Sequence, residues 1–376
     1  MKKVLHISNW YPNKWDDLEG IFVKEQFNIF TQVTHSHLIH VEVRKSNLFY
    51  KYNYIKYSET EEGYYILSSI KSNKLIEFLS TFLLFWALFQ SKYRRYDLLH
   101  FHIAYPLLSY YSLWKKIIKI PILISEHWSA YHFNFYMPWE TKKLDRIKNI
   151  FRQNIPLITV SQSLLEDIEI FSGIKISQVF VIPNVIDIKY FYYQKSIQND
   201  SITFFALNHW RDIKNPFPML EGFKLLHEKE IAFQLIIGGY GELLSKMKAF
   251  VLHFDMSSKV QFIGKMNKKE IAMMMVKSNA YLVSSTYETF SVVCAEALST
   301  GTPLIGIKLS AIKEYTNKES YLSFEHNTAE EWMHHILYFI ENKESYKPNI
   351  IASNAKKYFE YDSIKKAYSN ILNKYI

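Results

Sequence analysis

Two acidic residues eight positions apart carry the first chemical signal. Glu288 and Glu296 lie in the run Ser284-Ser285-Thr286-Tyr287-Glu288-Thr289-Phe290-Ser291-Val292-Val293-Cys294-Ala295-Glu296-Ala297-Leu298-Ser299-Thr300-Gly301-Thr302-Pro303. A β-rich stretch ends at Ser284, a polar loop follows, and a helix begins near Ser291 that Gly301 and Pro303 close. The free N–H groups at such a helix start carry partial positive charge and suit a diphosphate. Glu296, one turn further on, can accept hydrogen bonds from two ribose hydroxyls, and Glu288 sits on the loop where a sugar joined to that diphosphate would lie. Two isolated glutamates at this spacing read as solvated side chains. The surrounding strand–loop–helix–Gly–x–Pro frame makes them a candidate site.

Other clusters are less specific. Gly238-Gly239-Tyr240-Gly241 follows a β-rich run and precedes a helical one, but it is not the dinucleotide pattern G-x-G-x-x-G, and an ordinary turn is an equal reading. His100 and His102 lie two apart on a strand and face one side; without a further ligand cluster beside them, packing or acceptor contact outweighs metal binding. Ser125-Glu126-His127-Trp128 closes another β-rich run. Six aromatics follow between 128 and 139, Trp128, Tyr131, Phe133, Phe135, Tyr136 and Trp139. Then come Lys142, Lys143, Arg146, Lys148 and Arg152. That pairing of rings and cations suits anionic lipid or a stacked sugar, and equally an aromatic-packed loop beside a solvated helix.

The elements that must position these residues alternate along the chain. Strands are expected at Val4–Ser8, His37–Val43, Asp97–His102, Ile120–Ser125 and Leu157–Ser161, with helices at Ile21–Val33, Lys74–Ser91, Leu107–Lys119 and Ser163–Phe171. The pattern restarts with strands at Ile202–Leu207, Phe233–Ile237, Val260–Ile263, Ala280–Ser284 and Pro303–Ile307. Helices fit there at Pro216–Glu228, Glu242–Phe254, Asn267–Lys277, Val292–Thr300 and Glu330–Asn342, with Asn267 and Glu270 as a capping pair. Continuous apolar strands alternating with helices imply parallel sheets covered on both faces, an α/β class of two Rossmann-like doubly wound domains. The expected division is 1–190 and 191–359, through a polar run at Gln194–Ser201, with a C-terminal helix at about 360–376 packing back on the first domain. Ligands of such sheets bind at the carboxyl ends of the strands, here in a cleft between the two domains.

Bulk properties bound the class. The chain has 376 residues, enough for two cores, and 48% hydrophobic against 22% charged residues argues against disorder. Its single cysteine, Cys294, cannot form an internal disulfide, so nothing calls for an oxidising compartment. The apolar run 4–8 is too short for a signal peptide. The most apolar stretch, Phe78 to Phe89, is too short to span a bilayer and reads as a buried helix. A cytoplasmic protein is expected, with a net charge of +9 that favours phosphorylated ligands, anionic lipid or nucleic acid without choosing among them.

On the Glu288/Glu296 motif the sequence resembles the retaining glycosyltransferases of family 4, which have the GT-B fold and a signature like S-x-x-E-x-F-G-x-x-x-x-E-A-x-x-x-G-x-P. Ser291 stands where that family has glycine. The resemblance extends to Gly20-Ile21-Phe22-Val23-Lys24-Glu25-Gln26, which looks like the family's glycine loop and first helix, and to Val160–Leu165 with Val181–Asp187 before the hinge. It implies a loop arginine and lysine that neutralise the leaving diphosphate. Lys214 matches the lysine; His209 occupies the usual arginine position, and Arg211, two residues on, takes that role in the preferred alignment, although a solvated surface charge is an equal reading of it. It further implies His127 beside the transferred sugar, and Gly239 near the nucleotide.

The resemblance therefore implies transfer of a sugar from a nucleotide-sugar donor to a glycan or lipid-linked saccharide, with retention of anomeric configuration, in bacterial surface polysaccharide assembly. His127, Lys214, Arg211 and Glu288 would serve catalysis, and Gly20, His209, Gly239, Phe290, Ser291, Val292 and Glu296 would hold the donor. No cofactor or metal is expected, since no Asp-x-Asp occurs and the metal-dependent GT-A mode is disfavoured. The expected partners are donor and acceptor, with peripheral contact to an anionic membrane and no nucleic acid. Two alternatives stay open: another GT-B nucleotide-sugar enzyme, or a nucleotide-sugar-binding protein with a decayed site, suggested by His209 and Ser291.

Overall fold

The computed structural model describes the chain except residues 18, 49, 138–139 and 196–200, so Trp139 and most of the expected linker lie outside the described residues. Two compact units divide the chain: Met1–Val185 with Tyr361–Ile376, and Ile186–Glu360.

The first unit runs β1 (Lys3–Ser8), α1 (Ile21–Phe30), β2 (His35–Lys45), β3 (Lys51–Lys56), β4 (Glu61–Ser68), α2 (Asn73–Gln90), β5 (Leu98–His102), α3 (Tyr111–Trp114), β6 (Ile122–Glu126), α4 (Thr141–Phe151), β7 (Leu157–Thr159), α5 (Gln162–Ser172) and β8 (Val179–Val181). Its sheet has the order β3-β4-β2-β1-β5-β6-β7-β8, parallel throughout except for the β3–β4 pair. Val4, Leu98, Leu123 and Ile158 present one apolar row, one from each of four neighbouring strands. Phe30 of α1 and Tyr368 from the C-terminal helix pack on that row. Fully buried strands of this kind form where helices cover both faces.

The second unit runs β9 (Thr203–His209), α6 (Phe217–Glu228), β10 (Gln234–Tyr240), α7 (Leu244–His253), β11 (Val260–Gly264), α8 (Lys268–Lys277), β12 (Ala280–Val283), α9 (Val292–Thr300), β13 (Leu304–Ile307), α10 (Ser310–Lys313), β14 (Tyr321–Phe324), α11 (Ala329–Asn342) and α12 (Pro348–Tyr358); α13 (Tyr361–Tyr375) returns to the first unit. All neighbours in its sheet, β11-β10-β9-β12-β13-β14, are parallel. The Asn267–Glu270 pair is a complete capping box at the start of α8. The strand order reverses between β9 and β12 in this sheet, and between β1 and β5 in the first. Those are the points where doubly wound sheets open a crevice at their carboxyl ends.

Three expectations need correction. Of the helix expected over 107–119 only Tyr111–Trp114 is α-helical. Aromatic and β-branched residues, which lose rotamer freedom in a helix, crowd that segment. Residues 51–68, for which no element was expected, form the β3–β4 hairpin at the sheet edge, where exposed Tyr52 and Tyr54 alternate with inward positions. The stretch 78–89 is helical but not buried: Phe78, Phe82, Trp86 and Phe89 are exposed, while Leu83, Leu84, Ala87 and Leu88 are inside.

Helices α6 and α11 approach closely at a glycine. A Cβ on Gly222 would lie 2.4 Å from Trp332 Cβ and 3.0 Å from the Ala329 carbonyl. Alanine is the better helix former by about 1 kcal/mol, but the overlap forces the helices apart. Gly222→Ala is therefore expected to destabilise the second unit by about 1–3 kcal/mol in chemical denaturation. A stabilised variant would contradict this packing.

Candidate active site

In the second unit the site is built where β9 and β12 end side by side. After β9 the chain makes a short 3₁₀ turn, Asp212–Lys214, and enters α6 through Asn215 in the left-handed region and Pro216. After β12 the loop 284–291 leads into α9. The two loops are tied together: Ser284 Oγ donates to the Lys214 carbonyl at 2.6 Å, and Thr286 N to the Ile213 carbonyl at 2.9 Å. This lacing brings Lys214 Nζ to 2.5 Å from Glu288 Oε1. Ser285 Oγ donates to the same carboxylate oxygen at 2.7 Å. Both charged side chains are largely buried, so the pair is held in one geometry with little solvent screening.

The start of α9 is strained. Ser291, its N-cap, has φ 66° and ψ 84°, and no side chain caps the helix. Non-glycine residues adopt such backbone at a cost of about 1–3 kcal/mol, and strain of this kind clusters at ligand clamps. Tyr315 holds the turn, donating to the Phe290 carbonyl at 2.5 Å and lying 3.3 Å from that of Ser291. Ser291 Oγ donates to Cys294 Sγ, a thiol that burial pushes up to about 12 and that is therefore inert. Val292 opens the helix and Glu296 follows on it, half-buried. Gly301 ends α9 at φ 90°, with Pro348 so close that a Cβ would meet its carbonyl at 2.6 Å.

His209 and Gly239 sit side by side across β9 and β10. Gly239 pairs with Asn208, at φ 98°, and a Cβ there would lie 1.9 Å from the Asn208 carbonyl. This position therefore requires glycine. The His209 ring stacks on Tyr240 at 4.5 Å. Arg211 is exposed on the loop between His209 and Lys214, and among the described residues it forms no ion pair. Of the two candidate cations, the fold thus joins Lys214 to Glu288 and leaves Arg211 in solvent.

The first unit gathers a second group. Gly20 caps α1 at φ 60°, where a Cβ would lie 2.5 Å from the Trp10 carbonyl, and Phe22, two residues on, packs its ring 4.4 Å from that of His127. His127 follows β6, is buried, and neither ring nitrogen has a hydrogen-bond partner among the described residues. Burial lowers it to about 3, so it is a neutral imidazole across the working pH range. Glu126 latches the loops around it. Its carboxylate accepts from Ala104 N at 2.7 Å and from Tyr131 OH at 2.6 Å, and burial raises it to about 7. Glu126 and Ser285 lie inside runs the sequence points to but are given no role there, and Tyr315 lies outside them; the bonds of Glu126 and Tyr315 go to partners that spacing does not reveal.

His100 and His102 do have a companion, contrary to expectation. His6 on the neighbouring β1 lies directly across from His100, and its Nδ1 is 3.0 Å from His102 Nε2. The three rings offer nitrogens within 4.8 Å of one another, a donor set that could take a transition-metal ion. Their hydrogen bonds to Ser36 and Ser125 also satisfy them in part as a neutral cluster. Of the described aromatics of the 128–139 run, Tyr131 and Phe135 are buried and in edge contact, Trp128 and Phe133 are half-buried, with Trp128 stacked near Tyr105, and Tyr136 is exposed. In the basic stretch after them, Lys143 is buried and Arg146 is bound to buried Glu77 at 2.6 Å. Lys142 and Arg152 remain exposed.

Two family models match the chain, "Glycosyl transferases group 1" over residues 192–358 and "Glycosyltransferase Family 4" over residues 58–190. No curated protein matches it. Among solved structures, sucrose-phosphate synthase from Thermosynechococcus elongatus is similar with a TM-score of 0.79 at 16% identity, covering 99% of each chain. HepE of Anabaena in complex with UDP gives 0.76 at 14% identity, and the lipopolysaccharide outer core galactosyltransferase WaaB gives 0.73 at 15%, each over 100% of both chains. At such identity the likeness is one of fold.

Two outcomes test this description. Ser291→Gly is expected to raise stability by about 1 kcal/mol, because glycine accepts positive φ without strain. A loss of stability would show that Ser291 Oγ contributes more than the strain costs. Second, burial holds His6, His100, His102, His127 and His40 below the ordinary 6.5. The unfolded chain then binds more protons as pH falls below about 6.5, so folding stability is lost on acidification, by up to about 1.4 kcal/mol per pH unit for each group. Glu126 and Glu42, both raised by burial to about 7, act oppositely between about 4.5 and 7 but are two groups against five. The melting temperature should fall steeply from pH 6.5 to 5; a flat profile would contradict neutral buried histidines.

Proposed function

We propose, for a chain that belongs to glycosyltransferase family 4 and has the GT-B fold, that it transfers a sugar with retention of anomeric configuration from a nucleoside-diphosphate sugar held by the second unit. The observation that carries this reading is the Lys214–Glu288–Ser285 constellation beside the start of α9. A diphosphate at that helix start meets free N–H groups and the positive end of the helix. Lys214, paired with Glu288 on the loop that leads into α9, would exchange that carboxylate for phosphate oxygen as negative charge develops on the leaving group, an electrostatic contribution. Arg211, exposed on the same loop as Lys214, would add a second cation, and Glu296 on α9 would hold the ribose. His209 and Gly239, at the carboxyl ends of β9 and β10, together with Phe290, Ser291 and Val292, would line the donor.

On the first unit, Gly20 would let backbone approach the reacting groups, and neutral His127 would hydrogen-bond the transferred sugar. The HepE structures hold UDP or UDP-glucose, which makes UDP-sugars the first donors to test. The acceptor we propose is a glycan or lipid-linked saccharide of bacterial surface polysaccharide, met at the cytoplasmic face of an anionic membrane. The reaction as proposed uses no metal and no cofactor, and nucleic acid is not a partner.

One observation favours a second reading, a nucleotide-sugar-binding protein with a decayed site. The usual arginine position holds a histidine stacked on Tyr240, and Arg211 lies exposed two residues on. Turnover separates the two readings. Under the transferase reading Lys214→Ala lowers kcat by about 10²–10³-fold, and Glu296→Ala weakens donor binding by about 10-fold or more. Wild-type activity persists in chelator, and NMR of the product shows the donor's anomeric configuration. Unchanged kinetics in both variants would remove the site assignment; donor binding without turnover in the wild type would favour the decayed site.

A further inference from the structure

The first unit carries an apolar stripe that its own fold leaves uncovered. Leu75, Phe78, Phe82, Trp86 and Phe89 of α2 are 41 to 72% exposed. At 3.6 residues per turn they fall within an arc of about 80° and run for about 21 Å along the helix. The opposite face of α2 carries the buried residues that pack on β2 and β4. Removal of the stripe would therefore leave the core intact. Trp114, beside α2 through a ring contact with Phe85 at 5.6 Å, brings Leu113 and Ile117 to the same neighbourhood, both more than 60% exposed. Soluble proteins rarely leave this much contiguous aromatic and aliphatic surface without a partner.

The charges around the stripe select the partner. Lys71 and Lys74 precede it, and Lys92, Arg94 and Arg95 follow it, all exposed. Lys115, Lys116 and Lys119 are exposed around Ile117. Residues 69–96 and 105–120 contain a single acid, Glu77, which is buried and bound to Arg146. A second copy of the chain docked through this face would set like charges against each other. A bilayer with anionic headgroups meets the cations at its surface and takes the rings at the acyl boundary. Trp86, whose Nε1 donates to Tyr52 OH at 3.2 Å, adds aromatic groups with polar tips, the side-chain type suited to that boundary.

We infer that the exposed face of α2, with Leu113 and Ile117 beside it, is a docking surface for an anionic membrane. No helix among the described residues is long and apolar enough to cross a bilayer, so the contact is peripheral. The inference gives a place to the membrane-facing acceptor proposed above and rests on that reading only for its biological purpose; the surface chemistry is independent of turnover. It also moves the lipid contact away from residues 128–152.

Vesicle flotation of the full chain tests it, with phosphatidylcholine alone and with phosphatidylglycerol added. The chain is expected to float with the anionic vesicles and not with the neutral ones, and high salt should weaken binding. Phe78→Ser, Phe82→Ser and Phe89→Ser together should reduce binding about tenfold or more with an unchanged circular dichroism spectrum. Lys92→Glu, Arg94→Glu and Arg95→Glu together should remove the preference for anionic lipid. Brominated acyl chains should quench tryptophan fluorescence in the wild type and much less in Trp86→Phe, a variant that keeps the packing. Failure to float, equal binding by the serine variant, or a dimer in solution that the serine variant disperses would each overturn the inference. Donor hydrolysis by the same serine variant should equal that of the wild type. Flotation without any donor turnover would sink the transferase reading and leave this surface standing.

Discussion

The ion pair between Lys214 and Glu288 is the constraint around which the second unit is organised. Its two members come from loops that follow β9 and β12, strands adjacent in the sheet but more than seventy residues apart in the chain. Parallel pairing of β9 with β12 sets the two loops side by side, and the bonds of Ser284 and Thr286 to the other loop's carbonyls fix their separation. Breaking a largely buried pair by removing one partner leaves the other charge uncompensated, which is why the lysine cannot simply relax into solvent.

The same logic of fixed polar groups at carboxyl ends governs the first unit, with opposite electrostatics. There the polar layer is neutral: four buried histidines, His6, His100, His102 and His127, follow or lie on β1, β5 and β6, and burial keeps them uncharged. Glu126 ties the turns after β5 and β6 to one another through two hydrogen bonds. Under the proposed function this neutral layer would meet saccharide hydroxyl groups as donor or acceptor according to tautomer.

Much of this was legible in the sequence because it is local. The alternation of apolar strands with helical periods implies the α/β class, and the loop–helix–Gly–x–Pro frame of 284–303 announces α9 with its left-handed Gly301 at the end. The family to which the chain belongs was legible in the same stretch. What stayed hidden depends on pairing at a distance. His6 stands ninety-four residues before His100, and only the β1–β5 register makes them neighbours. Tyr315 reaches back to the Phe290 carbonyl from another helix turn, a contact no spacing rule anticipates. The helix α2 is apolar over most of its surface, which conceals from the sequence that one face meets solvent. At Ser291 the family pattern expects glycine, and the left-handed backbone is kept even though serine has replaced it. Conformation at that point is thus set by the surrounding bonds rather than by the residue's own preference.

The central claim is that the loops after β9 and β12, with the start of α9, hold a nucleoside diphosphate bearing a sugar. Its most direct test is a thermal-shift screen of the full chain against UDP-, GDP- and ADP-sugars and the corresponding free diphosphates. One base series should raise the melting temperature in a saturable way, as ligand binding to the folded state alone requires, and its free diphosphate should do so too. No shift with any of them at millimolar concentration would contradict the account.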